Sequence, residues 1–142
     1  MRDGFPSIQR SFLLSRRTID LLDANAGAGR ETRNVRVDRL LGEALRLERH
    51  PLIRFQADSS GRRQPLVVGT RFYVHQVIAT VRASDRDIDE AATYLAAAPR
   101  LVRAAVEYYA EFSDEVDEDA ASASWIELDE RARWERQQRA LA

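Results

Sequence analysis

Ile8-Gln9-Arg10-Ser11-Phe12-Leu13-Leu14-Ser15 decides how the chain is read. Its residues alternate: Ile8, Arg10, Phe12 and Leu14 fall on one side of an extended backbone, Gln9, Ser11 and Leu13 on the other. The pattern predicts a short strand. A single strand of this length leaves its ladder unpaired and its apolar side half covered. The strand therefore calls for a second copy of the chain, paired antiparallel, to close its core.

Outward from the strand the period changes to that of a helix. Ser15 is placed to N-cap a helix carrying Ile19, Leu22 and Ala26, with Leu21 beside them. Asn25 to Gly29 is turn-rich and ends it. A second helix begins near Thr32 to Asn34. It shows an apolar stripe of Val37, Leu40, Leu41, Ala44 and Leu45 with Glu48 at its edge. His50-Pro51 stops it, because the residue before a proline is pushed out of the helical region. His50 is read there as an imidazole meeting the last carbonyls.

The middle of the chain opens with an alternating segment, Leu52 to Gln56. The cluster Asp58-Ser59-Ser60-Gly61 predicts a turn, and Pro65 to Val68 a returning strand, giving a hairpin. Three helices follow. The first covers Val74 to Ala83, with Val74, Val77, Ile78 and Val81 inward. The second runs Asp87 to Ala96, capped by Asp85 or Asp87, with Ile88, Ala91, Ala92 and Leu95 inward. The third runs Pro99 to Phe112, with Leu101, Val102, Ala105, Val106, Tyr109 and Phe112 packing. Residues 113–124 are acidic and small, and read as a linker. Trp125 to Ala142 is a last helix, with Ser124 and Glu127 as a capping box. Its thin apolar stripe is Trp125, Leu128 and Ala132, joined by Trp134. The fold class is thus mainly α with short β, in three parts: 7–50, 51–112 and 113–142.

Composition bounds the function. The net charge of −1 conceals an asymmetry. Residues 1–54 hold 11 Arg against 7 acids, whereas residues 113–142 hold 4 Arg against 9 acids. A basic head and an acidic tail suit a nucleic-acid contact at one end and a different partner at the other. The chain has no cysteine, so thiolate metal sites and disulfides are excluded. Its two histidines, His50 and His75, have no paired-ligand spacing; His75 is assigned to an exposed helix face. Gly27-Ala28-Gly29 follows no strand and precedes no Gly-Lys pair, so it is no phosphate loop. The serines lack a nucleophile-elbow context. Asp114 to Asp119 lacks the register of a calcium loop. No enzyme activity, cofactor or metal is expected, and no membrane span; the cytoplasm is the expected location.

Strand, helix, turn and helix within 7–50, with Arg17-Thr18-Ile19-Asp20-Leu21-Leu22 and Arg39-Leu40-Leu41-Gly42-Glu43-Ala44-Leu45-Arg46, resemble a ribbon-helix-helix module. The resemblance implies that Gln9, Ser11 and Leu13 face DNA, and that Phe12 and Leu14 face the dimer core. It also implies that Thr32, Arg33 and Asn34 hold a phosphate at a helix start. Leu13 departs from the pattern, where a polar or basic residue is usual. Either it meets a thymine methyl, or the ribbon no longer reads bases. The alternative for this module is dimerisation without DNA contact.

Gly69-Thr70-Arg71-Phe72-Tyr73-Val74, with Asp87-Ile88-Asp89-Glu90-Ala91-Ala92 and Val102-Arg103-Ala104-Ala105-Val106-Glu107-Tyr108-Tyr109, resembles a small helix-turn-helix family. Its members accompany PIN-like ribonucleases as VapB-like antitoxins. On that pattern Ala96 to Pro99 is the turn, and Arg100 and Arg103 start a recognition helix. Ordinary solvated arginines are the alternative. Arg71 meets a phosphate or braces Asp89 or Glu90. The resemblance further implies a toxin-binding tail, with Trp125, Leu128, Arg131, Arg133, Trp134 and Arg136 as its anchors. An arginine among Arg131, Arg133, Arg136 and Arg139 would enter the toxin's carboxylate cluster. A tail packed back on its own dimer is the other reading. The function implied is a dimeric antitoxin and autorepressor that binds operator DNA and a PIN-like toxin. A non-DNA-binding adaptor and a stand-alone repressor are the alternatives. Deleting 113–142 is expected to abolish inhibition and spare DNA binding.

Overall fold

The computed structural model describes residues 6–24 and 31–142. They fall in two units, 1–45 and 46–142, described separately below. The protein is mainly helical, with five helices and one two-stranded antiparallel hairpin among the described residues.

In the first unit, residues 6–15 form no strand. The alternating pattern predicts one, but a ladder needs a second strand and the described residues of one chain offer none. Helix α1 (Arg16–Ala24) starts where expected: the Ser15 hydroxyl accepts the Thr18 N–H at 3.1 Å. The predicted turn at Asn25 to Gly29, and Ala26, lie outside the described residues. Helix α2 (Arg33–Arg49) is capped in the same way, its Val35 N–H bonding to the Thr32 hydroxyl at 3.2 Å. An Arg33–Asp23 ion pair of 3.0 Å ties the two helices. Neither helix has a buried residue.

The second unit is built on the hairpin. Strands β1 (Ile53–Ala57) and β2 (Arg63–Val67) pair with Ile53 opposite Val67 and Ala57 opposite Arg63. Pro65 is tolerated in β2 because both strands of a two-stranded sheet are edges. The turn is organised by Asp58. Its Oδ1 accepts the N–H groups of Ser60 (2.8 Å) and Arg62 (3.1 Å), and Gly61 takes the positive φ of 86° that closes the loop.

Three helices cover this hairpin. Helix α3 (Val74–Ala83) buries Val74, Val77, Ile78 and Val81, as its spacing predicts. Asp87 caps α4 (Ile88–Leu95), accepting the Glu90 N–H at 3.0 Å. Ala96 ends α4 in the left-handed conformation, and Pro99 occupies the first position of α5 (Pro99–Leu141). The core joins Ile53 and Val67 to these helices, with Tyr108 of α5 fully buried at its centre.

Helix α5 overturns the expected linker. Phe112, the predicted end, has non-helical angles (φ −125°, ψ 39°) and marks a kink, yet the helix resumes and runs to Leu141. Residues 100–142 contain no glycine or proline to break it. Within the supposed linker, Val116 and Asp119 are both 1% exposed. Ser124 is mid-helix, its hydroxyl donating to the Ala120 carbonyl at 3.1 Å, so it caps nothing.

Candidate nucleic-acid and partner interface

The Gly69-Thr70-Arg71 triplet is a tight corner between β2 and α3. Gly69 sits at φ 77°, a conformation that side chains strain to adopt. The Thr70 hydroxyl donates to the Val67 carbonyl (2.8 Å) and accepts the Phe72 N–H (3.0 Å), which fixes the corner. This corner faces the α4–α5 turn across an open hollow of about 450 Å³, lined by Gly69 to Phe72 and Leu95 to Ala97. Two motifs separated in the chain thereby meet. Arg71 stands at the hollow's edge, exposed, with no ion pair among the described residues. The expected alternative, a brace to Asp89 or Glu90, does not form; those acids lie in the first turn of α4, where they complement its dipole.

Arg100 and Arg103 are exposed one turn apart at the start of α5, again without ion pairs among the described residues. The N-cap residue Ala98 offers no side-chain acceptor, and the first turn holds no acid. The partial positive charge of that helix end is therefore uncompensated, and the two guanidiniums add to it.

The residues expected to touch DNA in the first unit are described on their own. Gln9, Ser11 and Leu13 are exposed, Leu13 fully so. Asn34 is exposed as well. Thr32 is occupied with its cap, and Arg33 with Asp23.

Along α5, Trp125 is 75% and Trp134 60% exposed. They do not share a stripe. Nine residues apart, they are separated by about two and a half turns and point to opposite sides. Leu128 and Ala132 lie on the Trp125 side. Arg133 is held by Asp129 at 3.1 Å, while Arg131, Arg136 and Arg139 carry no ion pair among the described residues.

The histidines differ from their sequence assignments. His50 leaves the helix-end carbonyls alone: its Nε2 meets Glu111 at 2.8 Å, and its ring packs edge-on against Tyr108 at 5.1 Å. With Arg49–Glu111 (2.8 Å) and Arg46–Glu115 (2.6 Å), it fastens residues 46–50, the end of α2 and the residue after it, which belong to the second unit, beside the α5 kink. The His50 bond foremost, and the nearby Arg49, hold the Glu111 carboxyl below its ordinary pKa. His75 is half-buried and stacks on Tyr73 at 6.0 Å. Burial pushes its pKa down, and the Asp58 charge opposes that shift.

No family model matches the chain, nor does any curated protein or solved structure. Among the described residues no helix is long and apolar enough to cross a membrane.

Proposed function

We propose that the chain is a binding protein rather than an enzyme: an antitoxin that represses its own operon and neutralises a PIN-like ribonuclease. In this reading α4, the turn from Ala96 to Pro99 and α5 act as a helix-turn-helix, and residues 7–50 as a ribbon-helix-helix that dimerises. One observation carries it. Arg100 and Arg103 lie exposed and uncommitted on the first turn of α5, beside an unneutralised helix start. Arg71, equally uncommitted, supplies a further phosphate contact.

A salt-titrated gel shift on the DNA upstream of the reading frame tests it. Affinity should fall steeply with salt. Arg100→Ala with Arg103→Ala should weaken binding at least tenfold, and should flatten the salt slope by about 0.9 for each phosphate left without its guanidinium. A shift indifferent to the pair, or none at all, leaves the adaptor reading. The first unit already favours dimerisation over base reading: Leu13 is apolar where DNA would lie, and Arg33 is tied to Asp23.

The toxin-binding arm is the exposed end of α5. Arg131, Arg136 and Arg139 suit a carboxylate cluster better than Arg133, which Asp129 already neutralises. Removing residues 113–142 would strip Val116 and Asp119 from the core. The informative truncation removes 125–142, and should abolish neutralisation of the toxin while sparing the gel shift.

A further inference from the structure

Beyond Ala120, α5 has no buried residue. Trp125 lies nine residues past Val116, and Leu128 nine past Asp119. Each is about two and a half turns on, and so on the side opposite the one buried in the core. The elements that cover Val116 and Asp119 therefore do not reach Trp125 or Leu128. Ala132, Arg136 and Arg139 continue the same stripe at three- and four-residue steps.

The charge along this arm reverses. Residues 125–132 hold Glu127, Asp129 and Glu130 against Arg131; residues 133–142 hold Arg133, Arg136 and Arg139 against Glu135. Two such arms laid parallel would set Arg136 and Arg139 of the stripe on their own counterparts. Laid antiparallel about Ala132, Asp129 at the edge of the stripe meets Arg133 and Arg136 of the second copy, and Glu135 meets its Arg131. The same register places Arg139 over Trp125 and the aliphatic stem of Arg136 on Leu128. It also sets Ala132, the smallest side chain of the stripe, where the two helices cross the symmetry axis most closely.

We infer that the end of α5 pairs antiparallel with the same segment of a second copy, through the face made by Trp125, Leu128, Ala132, Arg136 and Arg139. Trp134, on the other side, takes no part. The pairing uses Arg136 and Arg139, which the antitoxin reading gives to the toxin, so a toxin would have to displace the second copy; the test below needs neither DNA nor toxin.

The chain contains no cysteine, so an introduced thiol reports alone. In the full chain, Ala132→Cys should form a disulfide-linked dimer under mild oxidation at micromolar concentration, because the two-fold brings equivalent Cα atoms within the about 4.4–6.8 Å that a disulfide spans. Leu128→Cys, whose counterpart is Arg136, should stay unlinked. In the Ala132→Cys background, Asp129→Arg, which flanks the stripe and faces Arg133 and Arg136 of the second copy, should cut linkage at least tenfold. Adding Arg133→Glu and Arg136→Glu should restore most of it, and Trp134→Ala should leave it unchanged. Failure of Ala132→Cys to link overturns the pairing. Equal linkage through Leu128→Cys overturns its antiparallel sense.

Discussion

Asp58 shows how one carboxylate sets a local structure and its response to pH. Burial works to raise its pKa, but hydrogen bonds from Ser60, Arg62 and the Gln64 amide (2.6 Å) outweigh that, and the net shift is downward. A carboxyl depressed on folding contributes stability above its unfolded pKa and loses it as pH falls through the folded one. The fall in urea midpoint from pH 7 to pH 3 should therefore be smaller in Asp58→Asn than in the parent. The same substitution removes the charge that props up the His75 pKa, so a ring-proton NMR titration of His75 should shift further down. An unchanged His75 titration would mean that the two groups do not sense each other. A second carboxylate, Asp119, receives Arg62 Nε at 2.9 Å and ties the hairpin turn to α5. Asp119→Ala leaves the Arg62 guanidinium, about a third exposed, with only its longer 3.8 Å contact to Glu118 among the described residues. It should cost about 2 kcal/mol in urea unfolding, the scale of a hydrogen bond to a charged group.

At the scale of elements, the middle of the chain was the most legible. The spacing of Val74, Val77, Ile78 and Val81 defines α3, and Asp87 and Pro99 mark two helix starts, because caps and apolar period act locally. What the residues hid was long-range. Asp114 to Ser124 reads as solvated from composition, and Val116 is the one large apolar residue in it, beside Ala120, Ala121 and Ala123. Its burial depends on a core whose other members lie elsewhere in the chain. Arg62, Gln64 and Asp119 carried no sequence signal, since each gains its meaning from a partner brought near by folding. The candidate interface divides the same way. The positions of Arg100 and Arg103 follow from Pro99, whereas the hollow that joins Arg71 to the α4–α5 turn appears only in three dimensions. Val116→Ala separates helix from linker directly. Removing two buried methyl groups should cost about 2 kcal/mol in urea unfolding, and a solvated linker would cost nothing measurable.

At the scale of the molecule, the first unit poses the sharpest imbalance. The second unit seals Val74, Val102 and Tyr108 from water, yet α1 and α2 bury nothing. Phe12 is 74% exposed and Leu41 and Leu45 are each 51% exposed. Covering this apolar set with a second copy would be favourable, because each such side chain gains about 1.5–3 kcal/mol on full burial. The two-residue spacing that sets Ile8, Phe12 and Leu14 on one side, imperfect because Leu13 on the other side is also apolar, is the basis for expecting strand pairing to cover it. Sedimentation of the full chain at micromolar concentration should then give a species at least twice the monomer mass. Phe12→Glu with Leu14→Glu should halve that mass, while leaving disulfide formation by Ala132→Cys intact, since the arm is a separate contact. A folded, stable monomer in the parent chain would show that the first unit closes its core unaided, and the expected ribbon would lose its physical basis. If both contacts operate, the mass should double again as concentration rises, and the tail charge reversal should remove only that second step.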